Sequence, residues 1–264
     1  MHPVIDLHAH LLPGIDDGPV TAEESIDLAR AAANDGTRTL AATPHLRHDY
    51  PDVRVDELAH RCSDLGGLLR AAAVPIEIVP AAEIDYEWAQ NASAEELRLA
   101  SYGQGGADLL LETPYAPVTP AFDGALFRLA SMGFRVLLAH PERNPTFQAD
   151  PDRLEALVAR GALVQLTAGS LLETGRRKRT SARFAVHLLE TGSAHVLASD
   201  AHAAASWRRP GLSRGVAAAN RIAPGMGTWM VTESAGAILA GERLPPAPSP
   251  RGTRARRFRR RRAD

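Results

Sequence analysis

The chain has 264 residues, enough for one large domain or two small ones, and a net charge of −1 at pH 7. Its 45% hydrophobic and 23% charged residues exclude a chain that is disordered throughout and a fibrous repeat. The single cysteine, Cys62, excludes an internal disulfide and fits a reducing compartment. No apolar run is long enough to span a membrane, and residues 1–6 lack the basic and apolar regions of a signal peptide, so a cytoplasmic protein is expected.

Short apolar runs alternate with helical patterns along the chain. Strands are predicted at residues 4–7, 37–42, 76–81, 108–111, 135–139, 162–166 and 194–198. Helices are predicted at about residues 21–34, 54–71, 121–132, 151–160, 177–190 and 233–240. Seven β–α units at this spacing favour a parallel sheet, and their regularity favours a closed or nearly closed barrel. The rival is an open doubly wound sheet, but no G-x-G-x-x-G string follows the first strand to indicate a dinucleotide site.

The first predicted helix has a clear beginning and end. Thr21 is the expected N-cap, and Glu24 stands at the third helical position, which is the pattern of a capping box. Gly36 is expected to end the helix.

The composition changes at the end of the chain. Residues 244–250 contain four prolines, which predicts that the folded domain covers residues 1–244 and that residues 245–264 form a Pro-rich and then Arg-rich disordered tail. Residues 251–264 carry eight arginines and one aspartate, a net charge of +7, so the other 250 residues carry −8. An acidic body does not indicate sequence-specific nucleic-acid binding. The tail is either a solvated end or a contact for an acidic partner, nucleic acid or an anionic membrane surface.

Imidazoles and carboxylates stand at the ends of the predicted strands. His8 and His10 end the first strand, and because residues i and i+2 of a strand face the same side, they form half of a metal site. The later strand ends carry His45, Glu83, Glu112, His140, Asp200 and His202. Each has an ordinary alternative role, as a surface histidine, a turn residue or a helix cap. The carboxyl ends of parallel strands meet at one rim of a barrel, so the combination predicts a polynuclear metal centre.

The ligand types restrict the metal. No thiolate lies near these positions, which excludes a Cys-rich structural zinc site. A mixed set of imidazoles and carboxylates suits Mn²⁺, Fe²⁺ or Zn²⁺, and the number of carboxylates favours Mn²⁺.

These motifs resemble those of the PHP (polymerase and histidinol phosphatase) superfamily, and most closely the bacterial CpsB/CapC-type metal-dependent protein-tyrosine phosphatases. The resemblance spans residues 4–244 and rests on three strings, namely Asp6-x-His8-x-His10 running into Asp16-Asp17-Gly18-Pro19, Ala139-His140-Pro141-Glu142-Arg143, and Ala198-Ser199-Asp200-Ala201-His202. It implies a distorted seven-stranded (β/α) barrel of the PHP type that holds two or three divalent ions, usually manganese.

The resemblance also implies roles for individual residues. The first metal would be held by His8, His10, Glu83 and Asp200. The second would be held by Glu83, Glu112 and His140, and the third by Asp17, His45 and His202. Arg143 and Arg209 would hold the phosphate, with Arg208 competing for the place of Arg209. The leaving group would be protonated by His202 or by a metal-bound water.

The implied reaction is hydrolysis of phosphotyrosine on protein by a metal-activated water. The implied partner is a membrane tyrosine kinase of capsule or exopolysaccharide synthesis, at the inner face of the membrane. Histidinol phosphate or another small phosphate ester is the first alternative substrate. A non-catalytic metal-binding module that docks through the tail is the second alternative. Cysteine-dependent phosphatase chemistry is not expected, because a Cys-x5-Arg loop at Cys62 would need arginine where Leu68 stands.

Overall fold

A computed structural model describes residues 3–172, 180–206 and 208–248. Its strands are β1 Val4–Ala9, β2 Thr37–Ala42, β3 His45–Leu46, β4 Glu77–Pro80, β5 Glu83–Ile84, β6 Asp108–Glu112, β7 Arg135–Ala139, β8 Leu163–Thr167 and β9 Val196–Ala198. All seven predicted strands are present. The two-residue strands β3 and β5 were not predicted, and both carry a predicted metal ligand.

The strands are parallel and form two sheets. The first sheet has the order β1-β2-β4, and the second has the order β3-β5-β6-β7-β8-β9. Sequence neighbours therefore pair along the second sheet, as the alternation of strands and helices predicts. The fold is mixed α/β with parallel sheets.

Two short chain connections and one backbone bridge join the two sheets. Two residues separate β2 from β3, and two separate β4 from β5, so each pair continues one strand direction from the first sheet into the second. At the opposite edges of the two sheets, an isolated parallel bridge joins Ala9 of β1 to Ala201, three residues beyond β9. The backbone N–H of Asp200 also donates to the carbonyl of His8, and that of His10 to the carbonyl of Ala201. The ends of β1 and β9 are therefore held together.

Helices connect the strands. They are α1 Ala22–Asn34, α2 Leu58–Ala71, α3 Tyr86–Asn91, α4 Ala94–Ala100, α5 Pro120–Ser131, α6 Pro145–Ala149, α7 Pro151–Ala159, α8 Ala168–Leu172, α9 Thr180–Thr191, α10 Leu212–Ile222, α11 Met226–Val231 and α12 Glu233–Leu239. The predicted helices correspond to α1, α2, α5, α7, α9 and α12, although residues 177–179 of the fifth prediction lie outside the described residues. The short helices α3, α4, α6, α8, α10 and α11 were not predicted.

The first helix begins as expected, with one change in detail. Thr21 is its N-cap and accepts a hydrogen bond from the backbone of Glu24 at 3.3 Å. The Glu24 carboxylate, however, accepts from the backbone of Val20 at 2.7 Å instead of from Thr21. The helix still gains both hydrogen bonds at its N-terminus.

The core is built mainly from leucine and alanine, as the low aromatic content requires. Small residues also let helices approach closely. A Cβ added to Gly215 of α10 would lie 2.6 Å from the Cβ of Ala168 in α8, so only glycine permits this contact. The contact sets α10 beside α8 at the carboxyl end of β8, where both helices border the cavity described below.

Residues 242–248 follow the last helix without regular secondary structure, and Leu244 packs against the core. Residues 249–264, with the Arg-rich tail, lie outside the described residues. Among the described helices, none is long and apolar enough to cross a lipid bilayer.

Candidate metal centre

The nine predicted metal ligands lie together at the carboxyl ends of the strands. They are His8, His10, Asp17, His45, Glu83, Glu112, His140, Asp200 and His202, and all except Asp17 are buried. Among the described residues, they form four overlapping groups in which the donor atoms lie within 4.8 Å of one another. The groups are His8, Glu83 and His140; His8, His10 and Asp200; His45, Glu83 and Glu112; and His10, Asp17, His45 and His202.

Glu83 is at the centre of the cluster. Its Oε2 lies 3.2 Å from Nε2 of His8, 3.4 Å from Nε2 of His10 and 3.1 Å from Nδ1 of His45. Its Oε1 lies 2.9 Å from Nε2 of His140. One carboxylate thus faces four imidazoles that come from three different strand ends, two of them from the end of β1. It belongs to two of the donor groups, which suits the bridging role that the resemblance implies.

Asp17 and Asp16 have different surroundings. The Oδ1 of Asp17 lies 3.2 Å from Nε2 of His202 and 3.6 Å from Nε2 of His45. The carboxylate of Asp16 instead accepts from Nδ1 of His10 at 2.7 Å and from the backbone N–H of His45 at 3.1 Å. The geometry therefore supports Asp17 as the ligand and gives Asp16 the task of orienting His10.

A second orienting residue, Gln165 in β8, was not predicted from the sequence. Its Oε1 lies 2.9 Å from Nδ1 of His8 and accepts a hydrogen bond from the backbone of His140 at 3.3 Å. When Nδ1 of a histidine donates in this way, Nε2 is left with its lone pair free for a metal. His8 and His10, at the end of β1, both turn Nε2 toward Glu83, and their two Nε2 atoms lie 3.4 Å apart.

Charge and hydrogen bonding in the cluster fit a bound cation. Burial lowers the pKa of His10, but the carboxylates of Asp16 and Glu83 outweigh it and raise the pKa to about 10. The carboxylates around the imidazoles thus create a strongly negative site that favours positive charge. Oε2 of Glu83 and Nδ1 of His45 are buried and make no hydrogen bond of suitable geometry, although they lie 3.1 Å apart. A divalent ion would supply both the missing charge and the missing contacts.

His202 fits a ligand better than an acid. Burial, with His10 close by, lowers its pKa to about 4 despite the carboxylate of Asp17. Its imidazole is therefore neutral at pH 7, the form that coordinates metals.

Two predicted ligands occupy unusual backbone conformations. His140 has φ +37° and Asp200 has φ +54°, in the left-handed region that non-glycine residues rarely adopt. Such conformations persist where the surrounding structure fixes them, and they concentrate at functional sites. Each residue directly follows a strand or lies two residues beyond one, and the turn directs its side chain into the cluster.

The arginines of the site are placed differently from one another. Nη1 of Arg143 lies 2.8 Å from Oδ2 of Asp200, and Nη2 donates to the hydroxyl of Thr167 at 3.0 Å. Arg208 contacts Asp17 at 2.7 Å and also His202. Arg209 lines the adjoining cavity and, within the described part of the chain, forms no ion pair with the predicted ligands. Arg143 and Arg208 therefore contact predicted metal ligands, while Arg209 lines the cavity beside them.

A cavity of about 930 Å³ opens beside the cluster. Asp200 and Arg143 line it on the side of the cluster, and residues of α8, α9 and α10 border it. Tyr115, 62% exposed, also lines it, with its ring stacked on His140 at 5.8 Å between centroids and its hydroxyl accepting from Arg143. Tyr86 and Trp88, the aromatic residues that follow Glu83, pack against the core instead, Tyr86 edge-on to Phe122.

Cys62 is not placed to act as a nucleophile. It is buried in α2, and this burial raises the pKa of its thiol to about 12. If the phosphatase activity that the resemblance implies is present, we expect iodoacetamide to leave it in the folded protein and Cys62→Ser to keep at least half of it. Loss of activity in proportion to alkylation, measured by mass spectrometry, would contradict this.

Comparisons with known proteins agree with these observations. The family model for capsular polysaccharide synthesis, CpsB/CapC, matches residues 4–236. The tyrosine-protein phosphatase YwqE of Bacillus subtilis is 32% identical over 199 residues, which cover 75% of this chain and 77% of YwqE. The putative tyrosine-protein phosphatase CapC of Staphylococcus aureus is 28% identical over 205 residues, which cover 75% of this chain and 77% of CapC.

A solved structure is similar over nearly the whole chain. It comes from work on YwqE of Bacillus subtilis and CpsB of Streptococcus pneumoniae, described there as unique metal-dependent tyrosine phosphatases. The TM-score is 0.79 at 29% identity, and the match covers 93% of this chain and 99% of the other. The family model, the curated relatives and the solved structure thus point the same way, and the chain belongs to the CpsB/CapC family of capsular polysaccharide synthesis.

Proposed function

We propose that this chain is a metal-dependent tyrosine phosphatase that hydrolyses phosphotyrosine on protein by attack of a metal-activated water. The observation that carries the proposal is the buried cluster of imidazoles and carboxylates around Glu83, which opens onto a cavity beside Arg143. The names of the curated relatives and of the similar solved structure support the same reaction.

The nine residues of the cluster would hold two or three divalent ions, and we propose Mn²⁺, with Fe²⁺ or Zn²⁺ as the other candidates. When bound, such ions lower the pKa of water and offset the negative charge of phosphoryl oxygens. Glu83 would bridge two sites, while Gln165 and Asp16 would keep Nε2 of His8 and His10 turned toward the ions.

Arg143 would bind the phosphoryl group. Its guanidinium lines the cavity next to Asp200, and an arginine can donate two parallel N–H groups to phosphoryl oxygens. Arg208 is the second guanidinium that contacts the cluster, and Arg209 extends the positive charge along the cavity. Protonation of the leaving oxygen is least demanding for a phenol, and this favours phosphotyrosine over an aliphatic phosphate ester.

Tyr115 provides the aromatic surface for that phenol. We expect Tyr115→Ala to lower kcat/KM about fivefold for a phosphotyrosyl peptide, the size of an aromatic pair of about 1 kcal/mol. Hydrolysis of an aliphatic phosphate ester should change less than twofold. Tyr115→Phe, which keeps the ring, should retain the preference. An equal loss on both substrates would contradict a role in recognising the ring.

The same proposal includes the protein partner, the cellular location, the domain boundaries and the barrel architecture. The phosphoprotein would be a membrane tyrosine kinase of capsule or exopolysaccharide synthesis, met in the cytoplasm at the inner face of the membrane. The metallophosphatase domain would cover residues 1–244, and the tail 245–264 would contact an acidic partner or the membrane surface. The bridge between Ala9 and Ala201 supports closure of the two sheets into a distorted seven-stranded (β/α) barrel of the PHP type.

The test combines metal analysis with two substrates. The protein is stripped with a chelator, reloaded separately with Mn²⁺, Fe²⁺ or Zn²⁺, and its metal content is determined by elemental analysis. We expect the stripped protein to be inactive and a reloaded form to hydrolyse a phosphotyrosyl peptide. Full activity without metal would refute the mechanism. Faster hydrolysis of histidinol phosphate would favour the small-molecule alternative, and no phosphatase activity in any loaded form would favour the interaction module.

A further inference from the structure

The cavity beside the metal centre is larger than one phosphoryl group requires. Its volume of about 930 Å³ is near the upper end of the range of about 300–1,000 Å³ found for pockets that enclose a drug-sized molecule. Asp200 and Arg143 mark the end where the phosphoryl group would lie. The rest of the cavity, toward α10, is available to parts of the substrate beyond the phosphotyrosine.

Among the described residues, the charges that line this cavity are almost all positive. These charged residues are Arg143, Arg208, Arg209, Arg214 and Asp200. Arg143 pairs with Asp200, and Arg208 pairs with Asp17 at the edge of the cluster. Arg209 and Arg214 form no ion pair with any residue in the described ranges 3–172, 180–206 and 208–248.

Arg209 and Arg214 come from one short segment at the start of α10. Arg209 precedes the helix by three residues, and Arg214 is in its first turn. Both side chains are exposed to solvent, so an incoming ligand can reach their guanidinium groups. Two guanidinium groups without an ion-pair partner among the described residues stand on one wall. They favour an anion, and a carboxylate matches the planar fork of arginine.

We propose that Arg209 and Arg214 bind an acidic side chain, Asp or Glu, close to the phosphotyrosine in the same peptide. The inference rests on the proposed function and deepens it, since it names the class of phosphotyrosyl protein that the enzyme prefers. An extended peptide advances about 3.3–3.6 Å per residue, so a residue one to three positions away can reach along a cavity of this size.

The experiment measures a ratio of rates on matched peptides. Two phosphotyrosyl peptides differ only at the positions flanking the phosphotyrosine, which carry Asp in one and Asn in the other. With the manganese-loaded enzyme at fixed ionic strength, we expect kcat/KM to be about fivefold higher for the Asp peptide, the size of an exposed ion pair of about 1 kcal/mol. Arg214→Gln should bring this ratio close to one, and Arg214→Glu should reverse it.

Arg221 provides the matched control. It is an exposed arginine on the same helix, two turns farther along, and does not line the cavity. Arg221→Gln removes the same charge from the molecule and should leave the ratio unchanged. A wild-type ratio near one, or an equal loss of the ratio in Arg221→Gln, would overturn the proposal while leaving the phosphatase function intact. No hydrolysis of either peptide would overturn both.

Discussion

Replacing Glu83 with glutamine is expected to reduce metal binding and catalysis together. The side chain keeps its shape but loses the charge that faces His8, His10, His45 and His140. Two of the four donor groups lose a ligand in this one change. Because bound ions contribute several kcal/mol of transition-state stabilisation, we expect kcat/KM to fall at least about a thousandfold.

Metal content and thermal unfolding are the measurements that separate this effect from misfolding. Glu83→Gln should bind fewer metal ions per chain by elemental analysis, and added Mn²⁺ should raise its Tm less than that of the wild type. Glu77→Gln is the control, because Glu77 is an exposed carboxylate at the start of β4, the strand that leads toward Glu83. A Glu83→Gln protein with the full metal content and normal activity would disprove the central position of this residue.

Two simple rules explain why the sequence could predict that the proposed ligands lie together. Buried parallel strands appear as apolar runs, and the residue just after each run lies at one edge of the sheet. His140 and Asp200 follow such runs, so their positions could be predicted without knowing the packing. The short strands β3 and β5 were missed because two residues carry no periodic pattern.

The orienting residues were not predicted because their role depends on contacts that only folding creates. Gln165 looks like a polar interruption of an apolar strand, yet it is fully buried and reaches His8, which is 157 positions away. An isolated glutamine in a buried strand does signal a need for partners, but it does not say which ones. The start of helix α4 could have been predicted, because Ser93 and Glu96 have the sequence spacing of a capping box and form a complete one.

A change at Arg143 is expected to weaken binding of the phosphoryl group without changing metal binding. We expect Arg143→Lys to lower kcat/KM about a hundredfold, the loss typical of one preorganised donor to the transition state, while the metal content stays at the wild-type value. The guanidinium is held by Asp200, Tyr115 and Thr167 at distances of 2.8, 3.2 and 3.0 Å. Lysine keeps the positive charge but cannot hold these contacts and present two parallel N–H groups to a phosphoryl oxygen pair.

The control for Arg143→Lys is Arg153→Lys. Arg153 pairs with Asp123 at 2.7 Å and is not among the residues that line the cavity. That variant should keep wild-type kcat/KM and metal content. Because the guanidinium of Arg143 touches Asp200, a predicted ligand, its loss could act through the metal instead of the substrate. The two routes differ in elemental analysis: Arg143→Lys with full metal content and a low rate places Arg143 on the phosphoryl group, whereas loss of metal would assign it to positioning Asp200.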